Sequence, residues 1–158
     1  MQFETAVQAL CDAGVEFVVI GGLAATLHGS AQVTYDLDIC YSRATANLRR
    51  LVLALAPFHP RPRGIPDSLP FVWDDATLRN GTVFTLQTDV GEIDLLAEVT
   101  GLGSFDEVER HSMIVEAFER QIATLDLPAL IHAKRATSRP KDLITLAELE
   151  SLLEAGEP

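Results

Sequence analysis

Residues 20 to 39 read IGGLAATLHGSAQVTYDLDI, and the two ends of this stretch make opposite chemical demands. Gly21 and Gly22 follow the apolar run Phe17, Val18, Val19, Ile20. A glycine pair there lets the backbone turn tightly and approach a ligand where a side chain would intrude. That is the pattern of a phosphate cradle. At the other end Asp36 and Asp38 alternate with Leu37 and Ile39, which predicts a short strand projecting both carboxylates from one face, their Cα atoms about 6.5 Å apart. Like charges so placed repel unless a cation lies between them, and hard oxygen donors suit Mg2+. A glycine turn followed by a metal-holding strand predicts a site for a nucleoside triphosphate.

Outward from this stretch, the spacing of Phe3, Val7, Leu10 and Cys11 predicts a helix closed by Gly14, and residues 17–20 a buried central strand. The glycine pair leads directly into a helix over Leu23 to His28, whose first-turn N–H groups would face an anion. The metal strand is expected over Val33 to Tyr41, and Ser42 is expected to cap a helix over Ala44 to Leu55. Pro57, Pro60, Pro62, Pro66 and Pro70 exclude a regular element through most of the next stretch. They leave a long connection whose Arg61 and Arg63 are candidates to approach substrate.

Thr82 to Thr88 and Val90 to Val99 read as partner strands across Asp89. In the second, Ile93 and Leu95 flank Asp94, repeating the apolar-carboxylate-apolar pattern, with Glu92 a competitor on the same face. Phe105 to Arg110 predicts a helical turn, and Ser112 to Ala117 and Ile122 to Leu125 predict edge strands. Asp126 is expected to cap a helix running to about Thr137. Ser138 and Pro140 are expected to open a last helix with a wide apolar face from Leu143 to Leu153. The organisation expected is a core over residues 1–125 with a mixed sheet, and a helical segment over 126–158 packed on it as part of one compact domain.

A net charge of -11 argues against tight, sequence-independent binding to a long nucleic acid, which requires neutralised phosphates. The cations are nonetheless clustered: the only lysines, Lys134 and Lys141, fall with Arg135 and Arg139 in one short window, a candidate anion-facing wall on an acidic protein. No stretch approaches the roughly 18 unbroken apolar residues of a membrane span, and the N-terminus carries no signal pattern, so a cytoplasmic location is expected. Cys11 and Cys40 read as buried thiols rather than a disulfide framework. His59, His111 and His132 are dispersed and near no cysteine pair, which gives zinc little support.

Together these residues resemble the nucleotidyltransferase superfamily with its polymerase-beta-like fold. Ile20, Gly21 and Gly22 match the opening glycine motif, Asp36 to Ile39 the metal strand, and Ile93 to Leu95 the later strand carrying a third carboxylate. Gly21 to Ala24, His28 with Gly29, and Lys134 with Arg139 to Asp142 are similar to motifs of the small bacterial group related to the AbiEii toxins. The resemblance implies an α+β fold, a mixed sheet flanked by helices with helices at the C-terminus. It also implies transfer of a nucleoside monophosphate from a nucleoside triphosphate to a hydroxyl or phosphate acceptor, with release of pyrophosphate. Asp36, Asp38 and Asp94 would hold Mg2+, with Mn2+ as a substitute, Gly21 and Gly22 would meet the phosphates, and Lys134, Arg139 or Lys141 would offset charge on the leaving group.

Relatives often carry an arginine before the metal strand where this chain has Gln32; Arg43 or the C-terminal lysines would have to compensate. The acceptor implied is a small molecule, a protein or a tRNA end, and a homodimer or partner protein would complete so small a domain. A non-catalytic binding or regulatory protein, such as a toxin–antitoxin component, and a phosphohydrolase using the same acids are the alternatives.

Overall fold

A computed structural model describes residues 1–137, 139–140 and 142–156. In chain order the elements are helix α1 (Phe3–Asp12), strand β1 (Phe17–Ile20), helix α2 (Gly21–Leu27), strand β2 (Asp36–Tyr41) and helix α3 (Thr45–Leu55). Strand β3 (Arg61–Pro62), helix α4 (Asp75–Arg79) and strands β4 (Val83–Thr88), β5 (Gly91–Leu96), β6 (Glu98–Val99) and β7 (Gly103–Ser104) follow. Helix α5 (Phe105–Arg110), strands β8 (Ser112–Ala117) and β9 (Arg120–Leu125), and helices α6 (Leu127–Thr137) and α7 (Asp142–Gly156) complete the chain.

Seven strands form one mixed sheet in the order β3-β4-β5-β2-β1-β9-β8, and β6 and β7 form a separate short ladder. β2 with β5 and β1 with β9 pair in parallel; the other pairings are antiparallel. All four residues of β1 are buried, as a strand needs to be when both its faces are covered. β2 and β5 instead alternate: Leu37, Ile39, Ile93 and Leu95 are fully buried, while Asp36, Asp38, Glu92 and Asp94 on the opposite face are only partly covered. Because side chains alternate with a period of two, a one-residue slip of either strand would carry its acids into the core, so the apolar half of the pattern fixes the register of the polar half.

The core is completed by Ala6, Val7 and Leu10 of α1 and by Leu48, Leu51, Ala54 and Leu55 of α3, at the spacing that puts each set on one helix face. Each fully buried leucine contributes about 1.5–3 kcal/mol relative to exposure. One buried polar group, Asn47, joins three segments: its Oδ1 accepts from Glu16 N at 2.6 Å, and its Nδ2 donates to the carbonyls of Glu16 at 3.1 Å and Ser42 at 2.8 Å.

Several boundaries differ from the sequence expectation. α2 starts at Gly21 rather than Leu23, so the glycine pair is its first turn. β2 starts at Asp36, because Val33 and Tyr35 are exposed and pair with no strand. Ala44 rather than Ser42 occupies the N-cap of α3, and the Ser42 Oγ accepts from Ala44 N instead. The proline-rich connection contains β3, whose Arg61 and Pro62 pair with Gln87 and Leu86. β8 is an edge strand as expected; β9 lies between β8 and β1 and is interior. The apolar face of α7 is narrower than expected: Leu149 is buried, whereas Leu143 and Ile144 are exposed by 62% and 72%. Among the described residues no helix is long and apolar enough to cross a membrane.

Candidate active site

β2 and β5 run side by side in register, Asp36 opposite Glu92 and Asp38 opposite Asp94. Parallel pairing brings the two apolar-carboxylate-apolar patterns onto the same face, and one oxygen from each of Asp36, Asp38 and Asp94 lies within 4.8 Å of the others. Among the described residues this is the one group of three or more metal-ligating side chains.

Crowding three acids in a half-buried position carries an electrostatic cost. Burial, followed by the charges of Asp36 and Asp94 and a contact with the Asp94 carboxyl, pushes the Asp38 carboxyl up to about 7, and Arg63 opposes the rise. The Asp36 carboxyl is raised in the same direction, by burial first and then by Asp94. Asp38 Oδ1 is buried and has no hydrogen-bond partner. A carboxylate oxygen sequestered from water without a donor is destabilising unless a cation satisfies it. Hard anionic oxygens, close convergence and this orphaned atom together fit Mg2+ or Mn2+.

The glycines are required by the acids themselves. Gly21 has φ +65°, and a Cβ there would collide with Asp38 Oδ2 and approach the Asp38 Cβ to 3.1 Å. A Cβ on Gly22 would lie 2.8 Å from the Thr34 Cβ. β1 ends against β2, with Ile20 opposite Asp38, so the first turn of α2 passes close over β2. The pair read from the sequence as a phosphate cradle is therefore also the space into which Asp38 projects.

A cleft of about 610 Å³ opens over Asp38 and Asp94. Gly21, Leu96, Leu125 and Leu130 are among the residues that line it, and Lys134, Thr137, Arg139 and Asp142 form its C-terminal wall. Asp142 is buried and gathers that wall: Arg139 Nε lies 3.1 Å from its Oδ2, Lys134 Nζ 3.9 Å from its Oδ1, and Thr137 Oγ1 donates to Oδ2 at 3.4 Å. The Asp126 cap expected for α6 is present, Oδ1 accepting from Ala129 N at 2.8 Å. Of the sequence-nominated residues, Asp36, Asp38 and Asp94 converge, Gly21 adjoins Asp38, and Lys134 and Arg139 line the same cleft as Gly21, Asp38 and Asp94; Lys141 lies outside the described residues.

Cation placement differs most from expectation. Arg43 does not make up for Gln32: it donates to the Arg79 carbonyl at 2.7 Å and lines a separate pocket. Arg61 is spent on the carbonyls of Pro66 and Leu69, at 3.4 and 3.0 Å. Arg63, named in the sequence only as a candidate to approach substrate, donates to Asp94 Oδ1 at 2.9 Å and holds its Nε 3.6 Å from Glu92 Oε2. Glu92, although of the right parity, lies opposite Asp36 and is not one of the converging three. The available signal was that Arg63 follows a two-residue strand, which only the sheet reveals.

No protein-family model matches the chain, and no curated protein matches it. Among solved structures it is similar to a Thermotoga maritima protein provisionally described as a nucleotidyltransferase. The TM-score is 0.57 over 94% of this chain and 90% of that one, at 15% identity. The chain has a nucleotidyltransferase-like fold. At that identity the likeness extends to architecture: a mixed sheet flanked by helices, with helices closing the C-terminus.

Proposed function

We propose that the protein is a cytoplasmic, Mg2+-dependent nucleotidyltransferase that moves a nucleoside monophosphate from a nucleoside triphosphate to a hydroxyl or phosphate acceptor and releases pyrophosphate. The observation that supports it most is the convergence of Asp36, Asp38 and Asp94 within 4.8 Å of one another, two of them, Asp38 and Asp94, lining one cleft with Gly21, Lys134 and Arg139. A volume of about 610 Å³ is in the range that accepts a nucleotide-sized ligand.

In this reading Asp36, Asp38 and Asp94 hold the cation. When bound, Mg2+ neutralises phosphate charge and lowers the pKa of an acceptor hydroxyl. The chain's own groups do the rest. Gly21 and Gly22, lacking side chains, let the first turn of α2 lie close against Asp38 and Thr34, and Gly21 brings backbone to the cleft beside the acids, where a phosphate held by the cation would lie. Lys134 and Arg139, aligned by Asp142, set positive charge where the departing pyrophosphate accumulates negative charge. Leu96, Leu125 and Leu130 give the cleft apolar surface that excludes water from the reacting groups. The sequence motifs resemble those of the small bacterial group related to the AbiEii toxins, and a second subunit or a partner protein would supply the remaining acceptor surface.

Isothermal titration with ATP, GTP, CTP and UTP in turn, each with MgCl2, tests the reading. At least one nucleotide binds the wild-type protein, and Asp38→Asn removes both that binding and magnesium-dependent pyrophosphate release while leaving the circular dichroism spectrum unchanged. Binding of none of the four, or equal behaviour of the variant, sinks it.

A further inference from the structure

Arg63 stands in a position that the metal reading alone does not explain. β3 is only two residues long, and the chain just past it stays on the sheet: Arg63 N donates to the Thr85 carbonyl at 2.8 Å. From that anchor the side chain crosses β4, donates to the Leu86 carbonyl at 3.1 Å and reaches β5, where one guanidinium nitrogen meets Asp94 Oδ1 at 2.9 Å. The Nε is buried with no hydrogen bond and is held near Glu92 Oε2 at 3.6 Å. Among the described residues no other arginine or lysine forms an ion pair with Asp36, Asp38, Glu92 or Asp94.

We propose that Arg63 is an internal counter-cation of the metal-free site: it occupies one oxygen of Asp94, holds the acidic cluster together before the divalent ion arrives, and competes with that ion for Asp94. The inference rests on the metal reading of the three acids. Four carboxylates around a half-buried position repel one another, and a single guanidinium shared by Glu92 and Asp94 offsets part of that repulsion. The same positive charge raises the energy of a dication brought to the adjacent oxygens, so removing it strengthens metal binding while weakening the metal-free fold. An arginine that served only to pin the β3 connection would affect stability and leave metal affinity where it was.

The test is Mn2+ binding, followed by electron paramagnetic resonance on the full chain without nucleotide, together with thermal denaturation with and without MnCl2. Arg63→Gln, which keeps a donor for the Leu86 carbonyl, is expected to bind Mn2+ roughly tenfold tighter, the size of effect a unit charge a few ångströms away has in a well-screened site. Its metal-free melting temperature falls, and its gain on adding MnCl2 exceeds that of wild type. Arg63→Lys, which retains the charge, stays within about threefold of wild type, since about tenfold per unit charge is the effect at stake. Unchanged or weaker Mn2+ binding by Arg63→Gln overturns the proposal, as does failure of that variant to fold at any MnCl2 concentration; folding restored by MnCl2 supports it. Asp38→Asn separates the two levels. If wild type and Asp38→Asn bind Mn2+ alike, the metal reading itself fails; if only wild type binds but Arg63→Gln is no tighter, the counter-cation role alone fails.

Discussion

Replacing Asp38 by Asn is expected to stabilise the metal-free protein at alkaline pH, an unusual result for a half-buried polar position and one with a definite pH signature. The Asp38 carboxyl titrates at about 7 in the fold against an ordinary value of 3.8. With the folded value above the unfolded one, the native state holds the proton more tightly. Stability from this group is therefore greatest below about pH 4 and is lost as pH rises toward 7. The full displacement is equivalent to about 4 kcal/mol, an upper bound because Asp36 and Asp94 share the protonation, so about half is a realistic yield. Asn is neutral throughout. The melting temperature of the variant minus that of wild type should therefore climb between pH 4.5 and pH 8 by about 4–8 °C, at roughly 2–4 °C per kcal/mol for a chain of this size. Scanning calorimetry in EDTA reads this difference, which includes the relief that Asp36 and Asp94 gain from a neutral neighbour. Adding MgCl2 at about a hundred times its dissociation constant should raise wild type alone, by about 2.7 kcal/mol. A difference that stays flat with pH, or that slopes the other way, would refute the account of three mutually repelling acids.

Gly21→Ala should cost about 2–4 kcal/mol in urea denaturation, about 1–2 of it from the left-handed backbone and the rest from displacing Asp38, and should weaken Mn2+ binding as well. Normal stability for that variant would mean the turn relaxes freely. Leu10→Ala, in the core on α1, should cost about 2–5 kcal/mol while the folded protein keeps its Mn2+ affinity within about twofold, separating packing from site chemistry. Lys134→Ala should weaken nucleotide binding by about tenfold or more, with Mn2+ affinity in the absence of nucleotide undiminished; equal nucleotide affinity by calorimetry would remove Lys134 from the phosphate wall.

The centre of the fold was readable because local and long-range demands agree there. Phe17 to Ile20 is apolar at every position and lies covered on both faces; Leu37 and Ile39, like Ile93 and Leu95, alternate with acids and bury the apolar half. The two carboxylate motifs could be matched to each other from their pattern, but only the parallel pairing shows that Asp38 rather than Asp36 faces Asp94. What the sequence hid depends on contacts between distant segments. Arg63 looked like one more cation in a proline-rich loop, and its reach to Asp94 follows from the short pairing of β3 with β4. Asn47 looked like an ordinary helix residue, yet it ties Glu16 to Ser42. Leu143 and Ile144 fit a helical stripe that the neighbours of α7 do not extend far enough to cover.

The adjacency of β2 and β5 also bears on kinetics. About fifty residues, including α3, α4 and β4, intervene between the two strands, and such distant parallel partners meet late because loop closure must precede any reward. In a nascent or partly unfolded chain Asp94 is thus not yet held against Asp36 and Asp38. Magnesium should lengthen the lifetime of the finished protein by slowing its unfolding, while the rate at which new molecules mature stays the same.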